Sequence, residues 1–151
     1  MRRTLPFSAF LLLACSGGDK APATDSAAAA PPAATLKLAD LAGKWTQVVS
    51  PEGSDSALVT SELNASAVGS SWTITLPGRA AMPIQITTSG DSIMTSTGPY
   101  ESVLMKGVQV TTNGVARLVD GKMVGITVAH YAGVKTADSV RRMRSVATKN
   151  P

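Results

Sequence analysis

The chain of 151 residues holds one cysteine, one histidine and few aromatics, at 4%. A single thiol excludes any intrachain disulfide, so whatever folds here must stand on its core alone. One histidine and one cysteine are a poor donor set for zinc, which takes several nitrogen or sulfur ligands. No G-x-S-x-G sequence occurs, so the strand-to-helix nucleophile turn of one large hydrolase class is missing. No EF-hand spacing is present among the scattered acids. Two tryptophans, two tyrosines and two phenylalanines provide no aromatic platform interleaved with basic residues, which argues against nucleic-acid binding. No apolar run approaches the roughly 20 residues that a membrane-spanning helix needs. Metal, cofactor and catalytic residues are therefore all expected to be absent.

The amino terminus is informative. Arg2 and Arg3 precede the mostly apolar stretch Thr4–Ala14, which ends in Leu12-Leu13-Ala14-Cys15. Charge, apolar length and terminal box together read as an export signal too short to span a bilayer. The box, with Leu three residues before the cysteine and a small residue just before it, resembles the lipobox of bacterial lipoproteins. The resemblance implies cleavage before Cys15, a thioether to diacylglycerol on its thiol, and acylation of the new amino terminus. Each buried CH₂ contributes about 0.8 kcal/mol, and two or more chains anchor stably where one does not. The implied location is the cell envelope. Ser16 stands where the family carries aspartate for inner-membrane retention, so the outer membrane is favoured over the inner.

Residues 15–35 hold Gly17-Gly18, Pro22, Ala27–Ala30 and Pro31-Pro32, with no large apolar side chain. Such a composition cannot bury enough surface to offset its ordering entropy. We read 1–14 as the signal, 15–35 as a disordered tether and 36–151 as one domain. Removal of Arg2 and Arg3 lowers the formal charge from +4 to +2. The remaining charge is uneven. Leu36–Tyr100 carries three basic and five acidic residues, and Glu101–Pro151 carries eight basic and three acidic.

The domain is rich in Val, Ile and Thr, punctuated by Gly, Asn and Asp. This predicts strands near Lys44–Val49, Ala57–Asn64, Ser71–Leu76, Pro83–Thr88, Ser92–Thr97, Val108–Val119, Lys122–Tyr131 and Asp138–Ala147. Asp120-Gly121 signals a tight hairpin. Asn113-Gly114 resembles another, but one parity runs through it, which favours a single long strand with a bulge or bend at Gly114. Trp72, Ile74 and Leu76 share a face, as do Ile84 and Ile86, and Val124, Ile126 and Val128, and each set is expected to point inward. About eight antiparallel strands in sequence order predict a meander barrel, with a β-sandwich as the alternative. Leu36–Ala42 is expected to form a turn ahead of the first strand. Pro99–Met105 is left as a turn or extended chain.

Gly43-Lys44-Trp45, at the start of the first strand, resembles the G-x-W signature of lipocalins and lipocalin-like (calycin-type) domains. The resemblance implies a Trp45 that plugs the closed end of an eight-stranded barrel. It also implies an arginine from the last strand packed across the ring, for which Arg142 and Arg144 are the candidates. The domain is shorter than a typical lipocalin and is closer to the compact lipocalin-like domains of bacterial lipoproteins. Two functional readings follow. In the first, a non-enzymatic, membrane-anchored barrel binds a small apolar or amphipathic ligand, with Tyr100, Glu101 and His130 as rim contacts. In the second, a filled barrel binds an envelope protein or polysaccharide, or inhibits an enzyme. Interior volume separates the two.

Overall fold

The computed structural model describes residues 35–151. Cys15 and nearly all of the 15–35 segment lie outside them. A short helix, α1 (Leu38–Leu41), leads into nine strands: β1 (Gly43–Pro51), β2 (Val59–Ala65), β3 (Thr73–Thr75), β4 (Met82–Pro83), β5 (Gln85–Ser89), β6 (Ser92–Glu101), β7 (Gln109–Val119), β8 (Lys122–Tyr131) and β9 (Val140–Lys149). They form one antiparallel sheet in the order β4-β3-β2-β1-β9-β8-β7-β6-β5. Pairing of β1 with β9 joins the first strand to the last, from Trp45 opposite Lys149 to Pro51 opposite Met143. The result is a meander curled into a nearly closed barrel.

The ends of the sheet, β4 and β5, are consecutive in the chain and separated only by Ile84. Met82–Ser89 is thus one extended segment that changes partner. Met82 and Pro83 pair with β3, and Gln85–Ser89 pair with β6. At the step, the Ile84 N–H donates to the Trp72 carbonyl at 3.0 Å. Counted this way the barrel has the eight strands that the sequence pattern predicts, and a single sheet leaves no place for a sandwich.

The hairpin at Asp120-Gly121 forms as expected, with positive φ at both residues (49° and 74°). The long β7 is continuous. Its register passes Gly114 without a shift on either side, Thr95 opposite it on β6 and Thr127 on β8. The irregularity lies instead on β6, between Thr97 and Tyr100, where the Gly98–Pro99 peptide is cis.

Two apolar clusters fill the barrel. One, at the end where β1 begins, centres on Leu41, Trp45, Leu63, Trp72 and Ile93. The other, at the opposite end, centres on Val49, Val110, Ala129, Tyr131 and Met143. We call these the closed and open ends. The expected inward face of β8 is reversed. Met123, Ala129 and Tyr131 are buried, whereas Val124, Ile126 and Val128 are of the opposite parity and only half-buried. The reason is room. Gly125, of inward parity, sits where a Cβ would fall 2.6 Å from the Ala116 Cα and 2.8 Å from its Cβ. A narrow barrel turning this sharply takes small residues inside and leaves the branched ones outside.

Candidate functional site

The G-x-W segment builds the plug of the closed end. Trp45 is buried, and its Nε1–H donates to the Leu41 carbonyl at 2.8 Å, fastening α1 to the first strand. Gly43 has φ +134°, and a Cβ there would lie 2.9 Å from the Lys149 Cε. That gap lets Lys149 reach back, with its Nζ 5.6 Å from the centre of the Trp45 ring. The cation over the tryptophan is therefore Lys149 and not an arginine. Arg142 and Arg144 share a parity that points outward, where Arg142 pairs with Glu52 at 2.8 Å and Arg144 with Asp55 at 3.2 Å. Both acids belong to the β1–β2 loop. Sequence reasoning passed over Lys149 because it sought arginine. The available signal was parity: Lys149 shares the face of Met143, Ser145 and Ala147, the three buried residues of β9.

The open end carries the interior space. A cavity of about 70 Å³ is lined by Gln47, Ser61, Thr97, Tyr100, Ser102 and Tyr131 among others. A second, of about 40 Å³, lies next to it towards the closed end, against Trp72, Ile93 and Met123. Between the two apolar clusters three uncharged polar residues, Gln47, Thr95 and Thr127, line both cavities together with Ile84. The Ser61 hydroxyl donates to Gln47 Oε1 at 3.3 Å. The interior is thus neutral and hydroxyl-bearing at its waist, and apolar above and below.

Of the three expected rim residues, only Tyr100 faces this space. Burial raises its pKa above the usual tyrosine value. A hydrogen bond with Thr112 opposes the rise, the like charge of the Tyr131 phenolate adds to it, and the positive charge of Arg79 lowers it. Glu101 is exposed, and its carboxylate accepts from the Gly107 N–H at 2.9 Å. Its carbonyl accepts from the Arg79 guanidinium. His130 is exposed at the end of β8, opposite Val140 on β9. Tyr100, Glu101 and His130 therefore do not converge on one pocket.

The β6–β7 loop contributes Ser102, Val103 and Leu104 to the upper wall of the cavity. Ser102 is buried, its hydroxyl accepts from the N–H groups of Leu104 and Met105 at 3.0 Å each, and its own N–H donates to the Val108 carbonyl. Leu104 and Met105 pack onto the open-end cluster beneath. Beside this loop, Arg141 stands 6.0 Å from the centre of the Tyr131 ring and pairs with Asp138 at 3.0 Å.

The chain matches no protein-family model, no curated protein and no solved structure. Among the described residues, no helix is long and apolar enough to cross a membrane.

Proposed function

We propose that the chain is a lipoprotein of the cell envelope, held by lipid on Cys15 and favouring the outer membrane. Its compact lipocalin-like barrel serves as a non-enzymatic interaction module for another envelope protein. The observation that carries this reading is the interior volume of about 70 Å³ and about 40 Å³ in two separate spaces. Small-molecule sites usually run roughly 300–1,000 Å³. Both spaces fall well short of that range. A barrel filled to this degree acts through its surface.

The open end is the surface to consider. Leu36 joins the closed end through its N–H, which donates to the Gly90 carbonyl at 3.1 Å. A tether attached there leaves the β6–β7 and β8–β9 loops at the far end of the barrel. Those loops carry Lys106 and Lys135, which make no ion pair among the described residues, and Val103, which is exposed. Cations beside an apolar side chain suit a partner with an acidic surface. The test uses the full chain as bait in envelope extracts after reversible cross-linking. The expected result is one recurrent protein partner, lost in the Lys106→Glu/Lys135→Glu double variant. Equal recovery with that variant, or recovery of polysaccharide alone, counts against the reading.

One observation favours a second reading. The hydroxyl-lined waist beside Tyr100 offers hydrogen bonds to a slender molecule of a few heavy atoms. Native mass spectrometry of the full chain extracted in mild detergent tests it. A stoichiometric added mass that disappears in a Ser61→Leu variant supports a ligand, and its absence removes this second reading.

A further inference from the structure

The ladders leave one gap in the barrel wall. On β2 the pairs with β3 run from Asn64–Thr73 to Glu62–Thr75, so Val59, Thr60 and Ser61 have no ladder partner on that side. On β6 the pairs with β5 stop at Ser96–Gln85, so Thr97–Glu101 have none on theirs. Both bare margins lie at the open end, and between them runs the Leu76–Ala81 turn from β3 to β4. The turn is closed on itself, with the Arg79 N–H donating to the Leu76 carbonyl at 3.1 Å. Among the described residues its backbone bonds to neither margin. Its one hydrogen bond across the gap runs from the Arg79 guanidinium to the Glu101 carbonyl. Pro77, Gly78, Ala80 and Ala81 are exposed, and Leu76 alone in the turn is buried.

Space lies on both sides of this turn. Outside is a groove of about 500 Å³, lined by Thr46, Thr60, Glu62, Thr75 and Arg79 among others. Inside is the cavity of about 70 Å³ at the open end. Ser61 and Leu76 line both, and both side chains are buried. The partition between groove and interior is therefore Ser61 and Leu76, which stand one step beyond the last ladder pair, Glu62–Thr75. The end of the barrel is held more firmly. There the β6–β7 loop has the two bonds to the Ser102 hydroxyl, the Ser102–Val108 backbone bond, and Leu104 and Met105 packed beneath. Local opening favours the segment with the fewest bonds and the least buried apolar surface, and that segment is the turn.

We propose that the Leu76–Ala81 turn is a side door, through which a linear molecule with an uncharged leading end passes from the outer groove into the interior. This rests on the reading of the waist as a ligand site, and adds the route and the ligand class. Swinging Leu76 outward joins the cavity to a groove that already lies within the roughly 300–1,000 Å³ of small-molecule sites. The passage is one leucine side chain wide, which admits a chain and not a ring. No charged side chain lines either inner space, so an ion there is desolvated without a partner. A charged end stays in the groove, where Glu62 and Arg79 stand. The leading end meets Gln47, Ser61, Thr97 and Tyr100, which offer hydrogen bonds to a hydroxyl or carbonyl.

Thiol labelling of the purified full chain tests this. In a Cys15→Ser background, Ala129→Cys puts the sole thiol inside the cavity on β8, across the barrel from the turn. Methyl methanethiosulfonate is small, linear and uncharged, and its sulfonatoethyl analogue carries a negative charge. Relative to an exposed Lys106→Cys reference, the uncharged reagent should label at least about ten times faster than the anion. Arg79→Ala frees the turn from β6 and should speed labelling at least about threefold. Leu76→Ala removes the partition and should speed it at least about tenfold, whereas Leu104→Ala in the β6–β7 loop should change it less than about twofold. If Leu76→Ala folds poorly, the half-buried Arg79→Ala carries the test alone. Opening a turn uncovers little surface, so the rate should hardly rise with urea below the unfolding midpoint. A rate that rises with the full slope of unfolding assigns entry to global unfolding and overturns the proposal. So does an effect of Leu104→Ala as large as that of Arg79→Ala, which assigns entry to the end of the barrel. Absence of labelling in the Arg79→Ala chain overturns it as well, and equal relative rates for the two reagents overturn the uncharged class. Native mass spectrometry keeps the two readings apart. Labelling as expected with no retained mass removes the ligand and upholds the door, while a retained mass with labelling indifferent to Arg79 and Leu76 removes the door.

Discussion

Replacing Trp45 by Phe separates the two things that this residue does at the closed end. The indole Nε1–H satisfies the Leu41 carbonyl in a buried setting, and the ring underlies the Lys149 ammonium. Phenylalanine keeps an aromatic face but has no donor. A buried carbonyl left without its partner costs about 1–3 kcal/mol. The void beside the smaller ring adds about 1 kcal/mol at the low end of large-to-small substitutions. The expected loss is about 2–4 kcal/mol, against a total stability of roughly 5–15 kcal/mol for a domain of this kind. Lys149→Met removes only the cation, and an exposed cation over a ring contributes about 0.5–1 kcal/mol. Equilibrium urea unfolding followed by far-ultraviolet circular dichroism measures both, and the double variant yields their coupling. Arg142→Ala and Arg144→Ala should show no coupling to Trp45, since their partners are Glu52 and Asp55. A Trp45→Phe variant within 0.5 kcal/mol of the parent, or a Trp45 coupling to either arginine larger than to Lys149, refutes this account of the plug.

Tyr100 should make the barrel sensitive to alkali. Its folded pKa is raised by burial, so the unfolded chain releases the proton first, at the ordinary value of about 10. Stability should be unaffected by this group below that pH and fall above it, and Tyr100→Phe should flatten the fall in a pH series of urea midpoints. Gly125→Val should lose about 1–3 kcal/mol or more by overpacking against the Ala116 backbone, whereas Thr127→Val, two residues on, should not; thermal melts compare them. Cys15→Ser should block labelling by radioactive palmitate and leave an uncleaved precursor, visible as a heavier band, and normal processing of that variant would exclude the lipobox reading.

Strand positions were legible because turns announce them. Asp120-Gly121 needs two positive φ values and obtains them, and the parity running through Asn113-Gly114 correctly argued for one long β7. What parity does not say is which of two faces is inside. On β8 the aliphatic set Val124, Ile126 and Val128 looked like a core and lies outside, because a tightly coiled wall leaves its inner side to Gly125, Thr127 and Ala129. Hydropathy alone carries no information about the radius of a barrel. The same error moved His130 to an imagined rim. The candidate site was legible only at Trp45 and Tyr100. The loop-capping role of Ser102 was not legible, because a buried serine that accepts from its own loop has no sequence signature beyond being a serine. A bulge or bend was expected at Gly114, and the register shift occurs instead on β6, between Thr97 and Tyr100.

The change of partner at Ile84 gives this barrel a seam. Around most of the wall, neighbouring strands are held by long ladders, such as the one running from Val110–Tyr131 to Val119–Lys122. At the seam, β3 and β4 share only the pairs Thr73–Pro83 and Ile74–Met82, and proline brings no amide hydrogen to the second strand. Cooperative opening begins where the fewest bonds must break together. In hydrogen exchange, the Ile74, Met82 and Ile84 amides should therefore exchange well before those of β7 and β8. The wall is then a ribbon rolled shut and latched at one short clasp, the two β3–β4 pairs.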